Sequence, residues 1–298
     1  MKRLIGAMVA LGLSTSAMAA PDPTKLPAAL SAEERQADSA LPAQVALGQH
    51  GIVTAIDAFR GGQVLLQGER TNSAGYAASE AGTLIAMAAR EANVTIGPLR
   101  KALDGFDADE QAIAAVRSGL SRSSWLKPAR IEIAREPTLA GRTAFVAAGP
   151  GKKAVLVDVA YYLSADFNQI EAVANLGFAR DGKTQPTYFS YHRLTSIVQL
   201  PHPSFDPRAN VRSWSADRAA LARAGLAAAF SRLEDLVGLA TEMTPQEVQQ
   251  LAAKDIAKTY AAGRYGPPVA RAAKPGMTTI WARGLVSVQQ LADPGPAR

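Results

Sequence analysis

Two long runs of alternating residues, joined by a short turn, constrain the fold of this chain more than any other feature. The runs Ala154–Leu163 and Gln169–Arg180 contain no proline, and apolar side chains recur at every second position of each. Between them, Ser164, Ala165 and Asp166 have the small and polar side chains of a turn. A period of two residues puts the apolar side chains on one face of a β-hairpin. The pattern therefore predicts two antiparallel strands with one buried face.

Other β-prone runs, before and after this hairpin, predict further strands. They are Ile131–Arg135, Thr143–Ala148, Tyr188–Leu200 and Thr278–Val288. This part of the chain does not alternate strands with helices, as a doubly wound parallel sheet would. The expected architecture is an antiparallel β-meander of about four to six strands.

A long C-terminal helix pair is predicted to cover one face of this sheet. From Ser215 onward, apolar residues recur in steps of three and four, which is the period of an amphipathic helix. A second helix begins at Thr244, because Pro245 suits the first helical position and Glu247 completes a capping box. This helix is expected to run to about Ala262. The predicted fold class is therefore α+β.

The region before the sheet combines both kinds of element. Helical patterns cover Ser79–Arg90 and Asp107–Leu120, and Ser31 has the spacing of a capping box for a short helix. A β-hairpin is predicted for Ile52–Phe59 and Gln63–Gln67, because two β-prone runs flank a glycine-containing turn.

The N-terminus has the pattern of a bacterial secretory signal peptide. Two basic residues precede an apolar run, and Ala17 and Ala19 supply the small side chains of a cleavage site. Cleavage is expected after Ala19 rather than after Ala20, because Pro21 would otherwise flank the scissile bond. The apolar run is shorter than the ~20 residues that cross a bilayer. We therefore expect an exported protein, periplasmic or secreted, without a transmembrane segment after signal removal.

These patterns divide the chain into five regions. They are a signal peptide (1–19), a flexible N-terminal arm (20–48), a mixed α/β region (49–128), the sheet with the C-terminal helices (129–290) and a tail (291–298). Residues 121–128 are the candidate seam between the third and fourth regions, but they lack the composition of a clear linker. One domain and two domains both remain open.

Composition excludes several classes of protein. The chain has no cysteine, which excludes disulfide bonds, cysteine-ligated metal sites and attachment as a bacterial lipoprotein. With 48% hydrophobic residues, it is too apolar for a disordered chain. After signal removal, 30 of the 32 basic residues remain against 26 acidic ones. This surplus is too small to indicate nucleic-acid binding.

No arrangement of residues identifies a catalytic or metal site. His50, His192 and His202 lack metal-ligand spacing, and Asp158 or Glu171 would have to reach a histidine from a distance. The dinucleotide-binding fingerprint is absent, and the phosphate-loop pattern is incomplete. We therefore predict no catalytic residue, no metal and no cofactor.

Two serines have partial matches to nucleophile motifs. Ser73 lies in a sequence similar to the nucleophile elbow of serine hydrolases, but Thr71 replaces its first glycine. Ser124 and Lys127 have the Ser-x-x-Lys spacing of penicillin-binding enzymes, in which both lie on one helical turn. Pro128 disfavours a helix at that lysine. We interpret both matches as accidental.

Four neighbouring residues form the candidate ligand-binding cluster. Tyr188, Tyr191, His192 and Arg193 combine aromatic rings with polar groups, and Tyr161 and Tyr162 are expected on a neighbouring strand. Strict alternation, however, puts Tyr188 and His192 on the opposite face from Tyr191 and Arg193. The four side chains are therefore not expected to converge on one pocket.

The sequence favours an exported, non-catalytic protein that binds a small apolar ligand or a component of the cell envelope. One alternative is an exported serine-dependent or acid/base hydrolase whose site is assembled from distant residues. A second alternative is an envelope-surface protein whose modest positive charge binds anionic lipid or polysaccharide.

Overall fold

The computed structural model describes residues 29–58, 80–182, 185–253 and 256–292. An eight-stranded sheet and a separate two-stranded hairpin, β7–β8, form its β-structure. The strands are β1 (Ala43–Leu47), β2 (Val53–Thr54), β3 (Ile131–Ala134), β4 (Lys153–Leu163), β5 (Gln169–Arg180), β6 (Thr187–Gln199), β7 (Thr259–Ala261), β8 (Arg264–Gly266), β9 (Met277–Trp281) and β10 (Leu285–Gln290). The large sheet has the strand order β3-β1-β4-β5-β6-β10-β9, and β2 pairs with one end of β4.

Six α-helices accompany the strands in the described ranges, besides a helical stretch at residues 55–58. They are α1 (Ala32–Ala37), α2 (Glu80–Ala102), α3 (Ala108–Ser121), α4 (Leu139–Ala147), α5 (Pro207–Glu242) and α6 (Pro245–Ala252). In this part of the chain, no helix combines the length and the apolar character needed to cross a bilayer.

The central three strands, β4, β5 and β6, are antiparallel neighbours, but the sheet as a whole is mixed. Strand β1 runs parallel to both β3 and β4, and β10 runs parallel to β6. The predicted antiparallel meander of four to six strands is therefore wrong. Parallel neighbours need long crossover connections, and the chain supplies them through α2 and α3 on one side and α5 on the other.

The predicted C-terminal helix pair is also wrong, because only the first of the two helices, α5, has residues buried against the sheet. Helix α5 begins at Pro207, capped by Asp206, and includes an interruption at residues 216–219, three of which have positive φ. Helix α6 begins with the expected Thr244–Glu247 capping box but ends at Ala252. None of its residues is buried, and the chain becomes a strand again at Thr259.

The core lies between one face of the sheet and the helix layer. The alternating apolar residues of β4 and β5 face this layer, as predicted, and Tyr161 meets the ring of Phe230 edge-on at 5.2 Å. Helix α3 crosses α5 closely at Gly119, where an added Cβ would lie 2.7 Å from the carbonyl oxygen of Glu234. The same core includes residues from Leu30 to Leu285.

Several local predictions can be compared with the elements observed. Ser31 and Glu34 form the predicted capping box of α1, and Asp107 caps α3. The run 143–148 belongs to helix α4 rather than to a strand, because Thr138 caps a helix that begins at residue 139. The run 278–288 is divided into β9 and β10 by a turn at residues 282–284.

The N-terminal predictions fall partly outside the described residues. Of the run 52–59, only Val53 and Thr54 form a strand, and residues 55–58 are helical. The run 63–67, Ser73 and the signal peptide lie outside the described ranges. Within the region 20–48, β1 is buried in the sheet between β3 and β4.

Candidate functional site

A β-bulge in β6 determines which of the candidate ligand-binding residues share a face. Along the pairing of β5 with β6, Phe178 lies opposite Ser190, but the next residue, Ala179, lies opposite Tyr188. Phe189 is therefore the extra residue of the bulge. Each residue of β6 before Phe189 lies on the face opposite to the one that strict alternation predicts. The bulge brings Tyr188 to the same face as Tyr191 and Arg193, in contrast to the strict alternation expected from the sequence.

His192 lies on the other face of the sheet, towards the helix layer. Its side chain is 3% exposed, and its ring centroid is 6.5 Å from that of Trp281. Burial, assisted by the nearby positive charge of Arg35, lowers the pKa of His192 to about 4. His192 is therefore neutral at physiological pH and is separated from the other three residues by the thickness of the sheet.

The face opposite the helix layer carries a surface that we call the tyrosine face. It consists of Tyr162, Asn175, Tyr188, Tyr191 and Arg193. Asn175 lies directly between Asp158 of β4 and Arg193 of β6 in the strand register. The five side chains thus come from three adjacent strands and lie on one face of the sheet.

A glycine allows the two tyrosines of β6 to pack together. Gly177 lies opposite Tyr191, and the ring of Tyr188 covers it so closely that a Cβ at this position would overlap the ring. The rings of Tyr188 and Tyr191 meet edge-on, with centroids 5.7 Å apart and planes at 75°. Burial raises the pKa of Tyr191 to about 12, although Arg193 opposes this shift. Both hydroxyl groups therefore stay protonated near neutral pH.

A buried ion pair borders the tyrosine face on one side. Arg142 of α4 is buried and donates a hydrogen bond from Nη1 to Oδ2 of Asp158 over 3.0 Å. Burial raises the pKa of Tyr188, and the adjacent guanidinium of Arg142 opposes that shift. The charge of Arg142 is therefore compensated by Asp158, and Arg142 also lies against the Tyr188 phenol.

A second ion pair borders the face on the opposite side. Arg264, on the β7–β8 hairpin, contacts Oε2 of Glu171 at 3.0 Å, and the hydroxyl of Tyr162 donates to the same oxygen over 3.2 Å. Burial and the negative charge of Glu171 raise the pKa of Tyr162 to about 12. Ala261 of the hairpin packs against Ile197 and so fixes the hairpin over the sheet.

Arg193 differs from the two bordering arginines. It is exposed, and no carboxylate among the described residues pairs with it. Its positive charge opposes the rise in the pKa of both Tyr162 and Tyr191, which lie on the same face of the sheet. The Oδ1 atom of Asn175, its neighbour across the strands, is buried and has no hydrogen-bond partner in the described part of the protein. Arg193 and Asn175 thus place an unpaired charge next to an unsatisfied acceptor on this face.

The serine motifs do not assemble a catalytic pair. The hydroxyl of Ser124 donates to Oε2 of Glu242 over 2.7 Å, whereas the amino group of Lys127 donates to the carbonyl oxygen of Ser123. Burial raises the pKa of Glu242, but the hydrogen bonds from Ser124 and Ser123 outweigh that effect and lower it overall. This carboxylate therefore serves as a loop anchor.

The remaining candidate residues do not form a metal site. His50 is exposed and lies 3.9 Å from Asp109. Across the described ranges, no group of three or more His, Asp or Glu side chains has an arrangement that holds a metal ion.

The sequence predicts Tyr188, Tyr191 and Arg193 as candidates but does not reveal the residues that position them. Gly177 was the available signal, since a glycine inside a strand often marks a bulge or a close approach. Arg142 carries no comparable signal, because nothing in the sequence of α4 shows that this residue points to Asp158. No known family model matches this chain, and neither curated proteins nor solved structures provide a match.

Proposed function

We propose that this protein is a non-catalytic binding protein whose tyrosine face holds a small anionic ligand with a flat, largely apolar body. The observation that carries this proposal is the position of Arg193, a cation that is exposed, has no acidic partner among the described residues and shares a sheet face with Tyr191 and Tyr162. A guanidinium binds carboxylate, sulfate or phosphate groups through paired hydrogen bonds. The rings of Tyr191 and Tyr162 supply apolar area beside that charge.

The other polar groups of the face support binding at a fixed orientation. The two bordering carboxylates, Asp158 and Glu171, are already engaged by arginines, so they do not oppose an incoming anion. The unpartnered amide oxygen of Asn175 suits a hydroxyl or N–H donor on the ligand body. A few directed polar groups among aromatic rings are typical of small-molecule sites.

The packing between α5 and the sheet argues against a ligand site in the helix layer. Trp214, Phe230 and Leu233 pack into the space between α5 and the sheet. The opposite side of the sheet, where Arg193 of the tyrosine face is exposed, is therefore the better candidate. The sequence alone favoured a small apolar ligand, whereas the ligand proposed for the tyrosine face is anionic as well as apolar.

A binding role fits the chemistry of the face better than catalysis does. Its tyrosine hydroxyls have raised pKa values and act as hydrogen-bond donors rather than as bases. The only described histidine in the candidate cluster, His192, lies across the sheet. We further propose that the protein acts in the periplasm or outside the cell, on the basis of the N-terminal signal pattern.

An anionic aromatic probe tests this function directly. The fluorescence of 8-anilinonaphthalene-1-sulfonate is titrated against the mature protein, with the uncharged N-phenyl-1-naphthylamine as a comparison. We expect saturable binding of the sulfonate, and the Arg193→Gln variant should bind it ~10-fold more weakly or worse, because one charge-assisted hydrogen bond is lost. The matched control is Arg180→Gln, which removes another exposed arginine of the same sheet.

The outcomes separate the tyrosine face from other surfaces. Equal affinities of Arg193→Gln and Arg180→Gln would show that the probe binds elsewhere, and the proposal would then fail. A loss of affinity in an Arg208→Gln/Arg212→Gln variant, with Arg193→Gln unaffected, would assign the probe to the helix layer. Native mass spectrometry of the protein from the periplasm then reveals whether a retained ligand is anionic.

A further inference from the structure

A second surface lies on the helix layer, across the sheet from the tyrosine face. A cleft of about 450 Å³ separates α2 from the first turns of α5. Its lining residues are Val94, Thr95, Pro98, Arg208, Val211, Arg212, Ser215 and Ala216. The cleft thus has an apolar floor and two arginines along the α5 side.

Large apolar side chains protrude around this cleft. Met87 is 64% exposed and Val94 is 73% exposed, and their separation of seven residues puts them on the same face of α2. Phe205 is fully exposed and comes three residues before Arg208 on the other side of the cleft. These three residues are among only five exposed large apolar side chains in the described ranges.

Basic side chains share the exposed stripe of α2. Arg90 and Lys101 are exposed and, with Met87, Val94 and Pro98, follow the spacing of one helix face. On the α5 side, Arg208 and Arg212 add two positive charges. We call the combined exposed residues of α2 and the start of α5, with Phe205, the α2–α5 surface.

Acidic residues compensate this charge only in part. Asp206 lies 3.6 Å from Arg212, Glu91 is exposed beside the α2 stripe, and Asp217 follows the cleft on α5. Arg218, next to Asp217, is also exposed. The five basic residues of the area therefore exceed the three acidic ones, and no carboxylate in the described part of the chain pairs with the side chain of Arg208.

We propose that the α2–α5 surface docks on an anionic phospholipid bilayer. Protruding Phe, Met and Val side chains, each next to Arg or Lys, are the composition of helices that lie in the membrane interface. The apolar groups enter the boundary of the acyl chains, and the basic groups contact the phosphate headgroups. The proposal is independent of ligand binding at the tyrosine face, because different residues on the other side of the sheet carry it.

Vesicle co-sedimentation of the mature protein tests this proposal. The vesicles consist of phosphatidylcholine alone or of phosphatidylcholine mixed with phosphatidylglycerol. We expect binding to the anionic vesicles at least ~10-fold stronger than to the neutral ones, with a further decrease at high salt. The Arg208→Glu/Arg212→Glu variant should lose at least ~10-fold in affinity, since each basic residue near the surface contributes.

Two further variants distinguish docking through the α2–α5 surface from nonspecific adsorption to the vesicles. Val94→Asp removes an apolar contact without touching α5 and should also weaken binding to the anionic vesicles. The matched control replaces Tyr260 and Tyr265 by serine, because this pair on the β7–β8 hairpin is similarly exposed, at 59% and 68%. The control should bind the anionic vesicles as the unchanged protein does.

Any of three results overturns the proposal: no binding to the anionic vesicles, equal binding to neutral vesicles, or undiminished binding by both α2–α5 variants. Loss of binding in the hairpin control instead of these variants would place the contact on β7–β8 and would also refute it. The sulfonate titration described above, repeated with the Arg208→Glu/Arg212→Glu variant, reports on the tyrosine face separately. Circular dichroism confirms that each variant is folded.

Discussion

The ring of Tyr188 lies directly over the backbone of Gly177, in space that any other side chain at position 177 would occupy. This contact is made across neighbouring strands and depends on the bulge at Phe189, which reverses the face of Tyr188. The aromatic cover compensates for the side chain that glycine lacks in the middle of β5. Gly177 therefore determines the geometry of the tyrosine pair.

Replacement of Gly177 by alanine is expected to destabilise the fold and to disturb the tyrosine face. The added methyl group must displace the Tyr188 ring, and overpacking of this kind costs about 1–3 kcal/mol in the free energy of unfolding. Urea denaturation measures this cost. The sulfonate affinity should fall in parallel if Tyr188 and Tyr191 form the site.

The Tyr188→Ala background provides the control for this substitution. Without the ring, the extra methyl group has room, so Gly177→Ala should then cost less than about half as much. An equal cost in both backgrounds would show that strain in the backbone, rather than the Tyr188 contact, requires the glycine.

Asp158→Asn is predicted to be strongly destabilising. The substitution leaves the buried guanidinium of Arg142 without its counter-charge, and breaking a buried ion pair in this way costs about 3 kcal/mol or more. The double variant Arg142→Met/Asp158→Leu should be more stable than Asp158→Asn, because no unpaired charge remains buried. Unfolding curves in urea compare the two, and a less stable double variant would contradict this account.

The stability of the protein should depend on pH through His192. Because the folded-state pKa is about 4, below the ordinary value of about 6.5, the unfolded chain binds a proton that the folded protein does not bind between these pH values. Stability therefore falls as pH decreases from about 6.5 to about 4, by at most about 3 kcal/mol from this residue. Below pH 4 both states are protonated, and this contribution becomes constant.

The His192→Gln variant isolates that contribution. It removes the titrating group, so the difference in unfolding free energy between the variant and the original protein should change across the same pH range. A difference that stays constant with pH would mean that His192 is protonated alike in the folded and unfolded states.

Export can be tested by the mass of the protein itself. We expect the mature chain recovered from the periplasm of an expressing bacterium to begin at Ala20, since Ala17 and Ala19 provide the small side chains at the cleavage site. An Ala19→Leu substitution should prevent cleavage and leave the precursor mass. Recovery of only full-length protein from the cytoplasm would refute export.

Local signals in the sequence were sufficient to predict individual elements of this fold. The alternating runs of β4 and β5 correspond to long antiparallel strands, and the caps at Ser31, Asp107 and Thr244 mark true helix starts. Each of these signals involves residues within a few positions of one another. Such signals act before any tertiary contact has formed.

The partners of each strand could not be predicted in the same way. A period of two residues predicts that a run such as β10 is extended, but it does not specify whether the neighbouring strand runs parallel or antiparallel. Strand β1 was missed altogether, because its five residues are all buried and do not alternate. That choice depends on crossovers through α2, α3 and α5. The residues of the tyrosine face could not be predicted from alternation either, because one bulged residue, Phe189, changes which side chains share a face.

Arg232 is predicted to stabilise the packing of α5 on the far end of the sheet. Its buried guanidinium donates hydrogen bonds to the hydroxyls of Ser287 and Thr279, over 2.8 and 2.7 Å, and to the carbonyl oxygen of Ala272 over 2.8 Å. Arg232→Met removes the donor to the buried oxygens of Ala272 and Thr279, although Ser287 still accepts from the Thr279 hydroxyl over 3.0 Å. The substitution should therefore cost about 2–4 kcal/mol in the free energy of unfolding. Urea denaturation measures the loss.

Arg122 supplies the matched control for Arg232. Arg122 and Arg232 both contact the carboxylate of Asp235, but the side chain of Arg122 is more than half exposed. Arg122→Met should therefore cost less than about 1 kcal/mol in the free energy of unfolding. Arg232→Lys keeps the charge but not the planar fork that reaches three acceptors, so it should recover less than half of the stability lost in Arg232→Met. Full recovery by lysine would show that charge alone, rather than the geometry of the guanidinium, holds α5 against β9 and β10.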